Sequence, residues 1–262
     1  MSVKSMPVPI DIRLMNGLSW LLLLGVLMGA AYVLISWVAS LPVFNLAGIT
    51  VTGQVRHTNA VTLKANVLPK LTGSFFTVDL QQTRQIFQQL PWTRMALVER
   101  EFPNRLHVHL EEHQPLAYWG APGDERLINT LGEIFAPNLG ELDNENLPRL
   151  SGPDAQSFGV MQAYQMLNPM LSDIGQPIAL LELSARGSWR VRTQKGAVIE
   201  LGRGAAPELK ERLQHFLQSL DEAAQKWGRK FGAVEYADLR YENGYALRLH
   251  GVTTSEPKKL NN

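Results

Sequence analysis

The stretch LHVHLEEH, residues 106–113, places His107, His109, Glu111 and His113 at every second position. These are metal-ligand types, and on a strand residues two apart point the same way. A zinc site needs three or four ligands converging within about 2.0–2.3 Å of the ion. Same-face positions on one strand stand about 6.6 Å apart at the backbone, so two of them can reach one ion and the row cannot. The alternating Leu106, Val108 and Leu110 describe a face packed against helices, which leaves the histidine face to water. No metal is expected. Gly202-Arg203-Gly204 suggests a dinucleotide loop, but Pro207 stands where the third glycine belongs and no βαβ alternation surrounds it. A turn into a helix with an early proline accounts for it, and no cofactor is expected. Ser151 lacks the G-x-S-x-G context of a nucleophile elbow. Glu111 and Glu112 point to opposite faces of a strand and cannot work as a pair. With no cysteine, thiolate catalysis, thiolate metal sites and disulfides are excluded together. No catalytic residue can be named, and the chain is not expected to be an enzyme.

What remains is a chain built to be placed. Its 262 residues are 45% apolar and 19% charged, enough for one large domain or two modest ones. The net charge of +1 gives no bulk electrostatic argument for nucleic acid. Between Arg13 and Arg56 there is no charged residue, and the run GLSWLLLLGVLMGAAYVLISWVASLPVF fills that gap. About 20 apolar residues span a bilayer. Trp20 and Trp37 sit near the two ends, where amphipathic rings favour the interface, and Pro42 marks the exit. A cleaved signal peptide would have a shorter apolar core of about 7–15 residues, so a retained anchor is expected over 17–41. Lys4, Arg13 and the terminal amine precede it against one acid, Asp11, and no base follows for a dozen residues. The positive-inside rule then puts the tail, 1–16, in the cytoplasm and the bulk of the chain outside. Gly25 and Gly29 form a small-xxx-small pair, common enough in membrane helices to carry no docking inference.

Beyond the anchor, Ile49 and Val51 alternate with polar residues up to Gly53, which predicts a strand and a turn. A short helix is expected next, with Val61, Leu63, Val67 and Leu68 as its apolar positions, stopped by Gly73. Asp79 is an N-cap for a second helix carrying Leu80, Ile86, Phe87 and Leu90 and ending before Pro91. Strands over 95–100 and 106–112 flank Phe102-Pro103-Asn104. The order is β-α-α-β-β. That order, the Val51-Thr52-Gly53 near its start, and Leu90-Pro91-Trp92 followed by VEREFPNRL at 98–106 resemble the POTRA domain of the FtsQ family of bacterial division proteins. The POTRA domain is expected over 44–113.

The text after 113 is strand and turn. Short strands are predicted at 116–119 and 126–129, with a turn at Leu131-Gly132-Glu133 and a strand at Ile134 and Phe135. Residues 136–154, rich in Pro, Asn and Gly, read as loop. A helix covers 158–171, with Val160, Met161, Tyr164 and Leu167 at helical spacing. Further strands lie around Ile178, Trp189 and Val198. Leu209, Leu213, Phe216, Leu217, Leu220 and Trp227 form the inward stripe of a helix lying on the sheet. The chain then reads VEYADLRYENGYALRLHG, a hairpin turning at Glu242-Asn243-Gly244. A two-residue loop would put Leu239 and Tyr241 opposite in face to Leu247 and Leu249. A three-residue loop puts Ala237, Leu239, Tyr241, Tyr245, Leu247 and Leu249 together, and burial favours that register. The tail from 252 to 262 is polar and expected to be disordered.

Asp-Leu-Arg-Tyr before a glycine-containing turn, and Leu-Gly-Arg before the long helix, again resemble the FtsQ family, here in its second, β-rich domain over 114–251. The fold class expected is α+β: a transmembrane helix, a POTRA domain, then a mostly antiparallel β domain with two helices. The resemblance implies a scaffold of the division machinery in the bacterial inner membrane at the septum. It implies binding of FtsB and FtsL, linkage of early to late septal proteins, and contacts with other division membrane proteins through the POTRA domain and anchor. Partner contact in the family maps to the late strands: Arg240, Tyr241, Asn243, Gly244, Tyr245, Ala246 and Leu247, with Arg186 before Trp189 less directly. The alternative is a POTRA-bearing component of a polypeptide transport or assembly machine.

Overall fold

The computed structural model describes residues 10–39, 41–58, 63, 67–71, 73–142, 146–225, 234–241 and 244–251. Two compact units divide the chain, Met1–Glu112 and His113–Asn262.

The first unit opens with helix α1, Ile10–Ala39, and its stretch Leu14–Ala39 is long and apolar enough to cross a membrane, with none of it buried in the protein. It is the one such helix among the described residues. A 3-10 turn, Pro42–Phe44, follows. Strand β1, Gly48–Gln54, runs parallel to β3, Arg105–Glu112, and β2, Thr93–Glu101, pairs antiparallel on the other side of β3. Helix α2, Leu80–Gln88, is capped by Asp79, whose carboxylate accepts from the Gln81 and Gln82 amides at 2.8 and 3.1 Å. Pro91 cannot continue the helix. The apolar faces of α2 and the sheet meet in a core with Phe87, Ile86 and Leu90 on one side and Ala96, Val98, Leu106, Val108 and Leu110 on the other. Leu106, Val108 and Leu110 are fully buried, each contributing about 1.5–3 kcal/mol by area. Gly53 explains the Val-Thr-Gly motif: its φ is +114°, and a Cβ there would overlap the Leu110 carbonyl oxygen. Of the helix expected around 61–68, Val61 lies outside the described residues; Leu63 is helical and Leu68–Lys70 form a 3-10 turn.

Among the described residues the second unit forms a nine-stranded sheet in the order β12-β11-β10-β9-β8-β7-β4-β5-β6. β4 (Pro115–Trp119), β5 (Arg126–Asn129) and β6 (Ile134–Phe135) form an antiparallel meander. The expected loop at 136–154 is partly wrong. It contains β7, Arg149–Ser151, which sits mid-sheet, parallel to both β4 and β8 (Ile178–Leu183). Three residues with one apolar side chain give no periodicity to read. What holds them is main chain, with the Gly120 amide donating to the Leu150 carbonyl at 2.9 Å, and the complete burial of Leu150. Helix α3, Ser157–Asp173, bridges β7 to β8. β8, β9 (Ser188–Thr193) and β10 (Val198–Arg203) are antiparallel. Helix α4, Ala206–Gln225, leads to β11, Val234–Asp238, which is parallel to β10. β12, Ala246–Leu249, pairs antiparallel to β11 and ends the sheet. Leu209, Leu213, Phe216 and Leu220 of α4 are buried on the sheet as their spacing predicts; Trp227 and the tail after 251 lie outside the described residues.

Candidate partner-docking edge

β12 has β11 on one side and no strand on the other among the described residues. Its side chains alternate. Tyr245 and Leu247 are half-buried and Leu249 buried; Ala246, Arg248 and His250 are exposed. The Tyr245 ring meets Phe216 of α4 edge-on, 4.9 Å between centroids, which fixes the start of the strand against the core. Leu247 pairs with Ala237, and Ala246 with Asp238. The face parity is that of the three-residue loop, but the ladder stops at Asp238 and Ala246, so the connection is wider than expected. Glu242 and Asn243 of the expected turn lie outside the described residues, and Gly244 is exposed.

The wider connection corrects one orientation. Tyr241 does not face inward: it is 61% exposed. The chain has left β11 by then, because the Leu239 amide donates to the Glu200 carbonyl at 2.8 Å and the next residue turns outward. Arg240 is held there by Asp238. Its Nε donates to Asp238 Oδ1 at 2.8 Å and its Nη2 to Oδ2 at 2.6 Å. This two-pronged bond to a nearly buried carboxylate raises the guanidinium pKa further and lowers that of Asp238, against the burial that opposes the latter. Gly202, at φ +78°, allows the close approach, since a Cβ there would sit 3.0 Å from Arg240 Cγ. The Asp238–Arg240 pair could have been read from sequence as opposite charges two apart on one strand face.

Arg186 is exposed in the turn joining β8 to β9. It shares the sheet end of Arg240, because Ser188 pairs with Arg203 and β10 runs parallel to β11. β9 is three strands from β12, about 14 Å away, so Arg186 does not adjoin the edge. The structure therefore gathers Arg240, Tyr241 and Gly244 through Leu247 at one corner and leaves Arg186 apart from it.

The histidine row behaves as strand geometry requires. His107 Nε2 and His109 Nδ1 lie 2.9 and 3.3 Å from the Thr52 hydroxyl on β1, while His113, already part of the second unit, bonds to Asn129 of that same unit. Among the described residues no group of three or more His, Asp or Glu is arranged to hold a metal ion. Beside Gly202 and Gly204, Arg212 donates to the carbonyls of Leu201 and Arg203. A cluster that sequence reading missed lies at Glu112. Its carboxylate accepts the amides of Arg56, His57 and Thr58 and contacts His57 Nδ1, while the His57 ring stacks on Trp92 at 3.8 Å. Trp92 belongs to the Leu-Pro-Trp motif, so that motif has a packing reason.

The FtsQ-type POTRA domain family matches residues 44–113, and the family described as cell division protein FtsQ/DivIB, C-terminal, matches 117–240. The cell division protein FtsQ of Thiomonas arsenitoxydans is 37% identical over 259 residues, covering 97% of this chain and 93% of its own length. That of Burkholderia pseudomallei is 40% identical over 217 residues, covering 82% and 84%. That of Bordetella pertussis is 35% identical, covering 86% and 88%. The chain belongs to the FtsQ family of cell division proteins. An FtsQ-family chain with one apolar N-terminal helix is a single-pass membrane protein of the division machinery, and the corner at β12 is read in that light.

Proposed function

We propose that this chain is a division scaffold that binds FtsB and FtsL outside the cytoplasm and so joins early to late septal proteins. In this reading 1–16 is cytoplasmic, 17–41 spans the inner membrane at the septum, and the POTRA domain (44–113) and β domain (114–251) are exported, with 252–262 a tail. The single observation that carries it is the edge of β12, which has no neighbouring strand on its outer side among the described residues. An unpaired strand edge offers a row of backbone donors and acceptors to a partner strand, and alternate side chains give selectivity. Tyr241, Gly244 and Tyr245 would frame the start of that edge. Arg240 would contribute through Nη1, since Asp238 takes Nε and Nη2. That the relatives are cell division proteins speaks against the transport alternative.

Hydrogen exchange tests the edge directly. Adding the exported segment of FtsB should slow exchange at the β12 amides, 246–249, more than at β8 or β9. Unchanged exchange at β12 in a formed complex would move the docking surface elsewhere, first to the POTRA domain. Tyr241→Ala should weaken FtsB capture while the melting of the chain stays that of the parent; Arg240→Gln should weaken capture too, but it also strands the nearly buried Asp238 carboxylate and should lower the melting point. Arg240→Glu is a poorer probe, because it would set a second carboxylate against Asp238 and disturb the corner itself.

A further inference from the structure

The POTRA unit carries an aromatic end that the docking edge does not use. Val43 is 62%, Phe76 48% and Phe102 76% exposed. They stand on three separate segments: the 3-10 turn after α1, the loop before α2 and the turn between β2 and β3. Phe44 meets Phe76 at 4.8 Å, Phe76 meets Phe75 at 5.2 Å, and Phe75 meets Phe102 at 6.1 Å, all edge-on. Main chain ties the segments together: the Phe75 amide donates to the Phe44 carbonyl at 2.8 Å, the Ala47 amide to Asn104 at 2.9 Å, and Asn104 Nδ2 to the Val43 carbonyl at 3.2 Å. Arg100 donates to the carbonyls of Phe75 and Val78, which stiffens the loop presenting Phe76.

Chain length says what lies opposite. Val43 is four residues past Ala39, the end of the membrane-length helix, so even a fully extended link keeps it within about 14 Å of that end. The headgroup layer on each side of the hydrocarbon core is roughly 5–8 Å deep. Residues bonded to Val43 and Phe44 are therefore tethered within reach of that layer. Exposed aromatic side chains at such a depth gain by entering the headgroup and acyl boundary.

We propose that Val43, Phe76 and Phe102 form a foot by which the POTRA domain seats on the lipid surface beside its own anchor. The foot is continuous with the anchor, and it orients the POTRA sheet relative to the membrane without a protein partner.

The chain has no cysteine, so the single-cysteine variants Phe76→Cys, Phe102→Cys and Met95→Cys each take one nitroxide label. Met95 is exposed on β2, seven residues and about 23 Å from Phe102. The full-length variants are placed one chain per phosphatidylcholine nanodisc. Collision with a water-soluble nickel chelate should be several-fold lower at 76 and 102 than at 95, with oxygen collision raised. Equal chelate access at all three positions would overturn the proposal. So would shielding that appears only in liposomes holding many copies, since a second chain would then be the cover.

Discussion

Glu112 offers the sharpest test of how the POTRA unit is closed. Its carboxylate accepts the Arg56, His57 and Thr58 amides at 2.9, 3.1 and 2.8 Å. The side chain is only 6% exposed and that of His57 10%, so water cannot easily replace it. Glu112→Ala would strand these donors. The Arg56 amide is near solvent and finds water; the other two lose partners in a partly buried site. At about 1–2 kcal/mol for each donor left unmade, the cost is roughly 2–4 kcal/mol. In native-state hydrogen exchange that is about 30-fold to several-hundred-fold faster exchange of the β3 amides, with the β8 and β9 amides of the other unit unchanged. Equal protection in variant and parent would refute the assignment, and loss of protection in both units would show a general unfolding instead. The pH dependence follows. Burial raises the Glu112 pKa, but the three amides and the Thr58 hydroxyl outweigh it, and the folded value lies below the ordinary 4.5. A depressed carboxylate stabilises above its unfolded pKa and loses that contribution as pH falls through the folded one. Glu112 therefore contributes fully at neutral pH, and its contribution drains away below about 4.5. Glu112→Gln should flatten the acid limb of the POTRA stability profile.

Leu150→Ala empties a fully buried position on β7 and should cost about 2–5 kcal/mol in denaturant unfolding of the second unit, although sequence reading assigned that segment to a loop. Replacing His107 and His109 together by Thr should shift stability by less than about 0.5 kcal/mol per site, because both lie on the solvent side of β3; stoichiometric zinc in the parent, lost with function in the double variant, would contradict this. A reporter active only outside the cytoplasm should work when fused after Gly251, and activity restricted to an N-terminal fusion would reverse the orientation.

Most of the fold was legible where period and packing agree. The anchor shows as an uninterrupted apolar run. β3 shows as strict alternation, and its buried half is the half expected. α4 shows as a stripe from Leu209 to Leu220 that the sheet covers. The sequence is silent where structure rests on main chain or on long-range partners. β7 has one apolar residue and is defined by the strands beside it. Glu112 sits on the face read as apolar and is satisfied by amides more than fifty residues earlier, which no local pattern announces. Tyr241 was placed inward by extending an alternation past Asp238, where the ladder ends and the rule no longer applies. The family resemblance names the corner at β12 as an expected contact region, and only the strand order shows that β12 lies at the margin of the sheet.

The second unit's two edges differ in a way that bears on docking. An open edge is a hazard for self-pairing, and short length, bulges and charge are the usual protections. β6 at one margin has two residues, and His113 stacks on its Phe135 at 4.2 Å. β12 at the other margin is longer and faces a register shift in β11 between Val234 and Tyr236. Its charges are matched within the unit: Asp238 holds Arg240, and Glu235 lies 3.7 Å from Arg248 and 3.9 Å from His250. A matched edge neither repels an incoming strand strongly nor draws a random one by net charge. On the proposed function, affinity would come from the backbone row of β12, and selection from Arg240 Nη1, left over when Asp238 takes Nε and Nη2, and from the exposed Tyr241. A partner strand that satisfies the row and places one carboxylate by Arg240 meets both conditions; a second copy of β12, which carries no acid of its own, meets only the first. On that proposal, an edge left without a neighbouring strand among the described residues would still discriminate between partners.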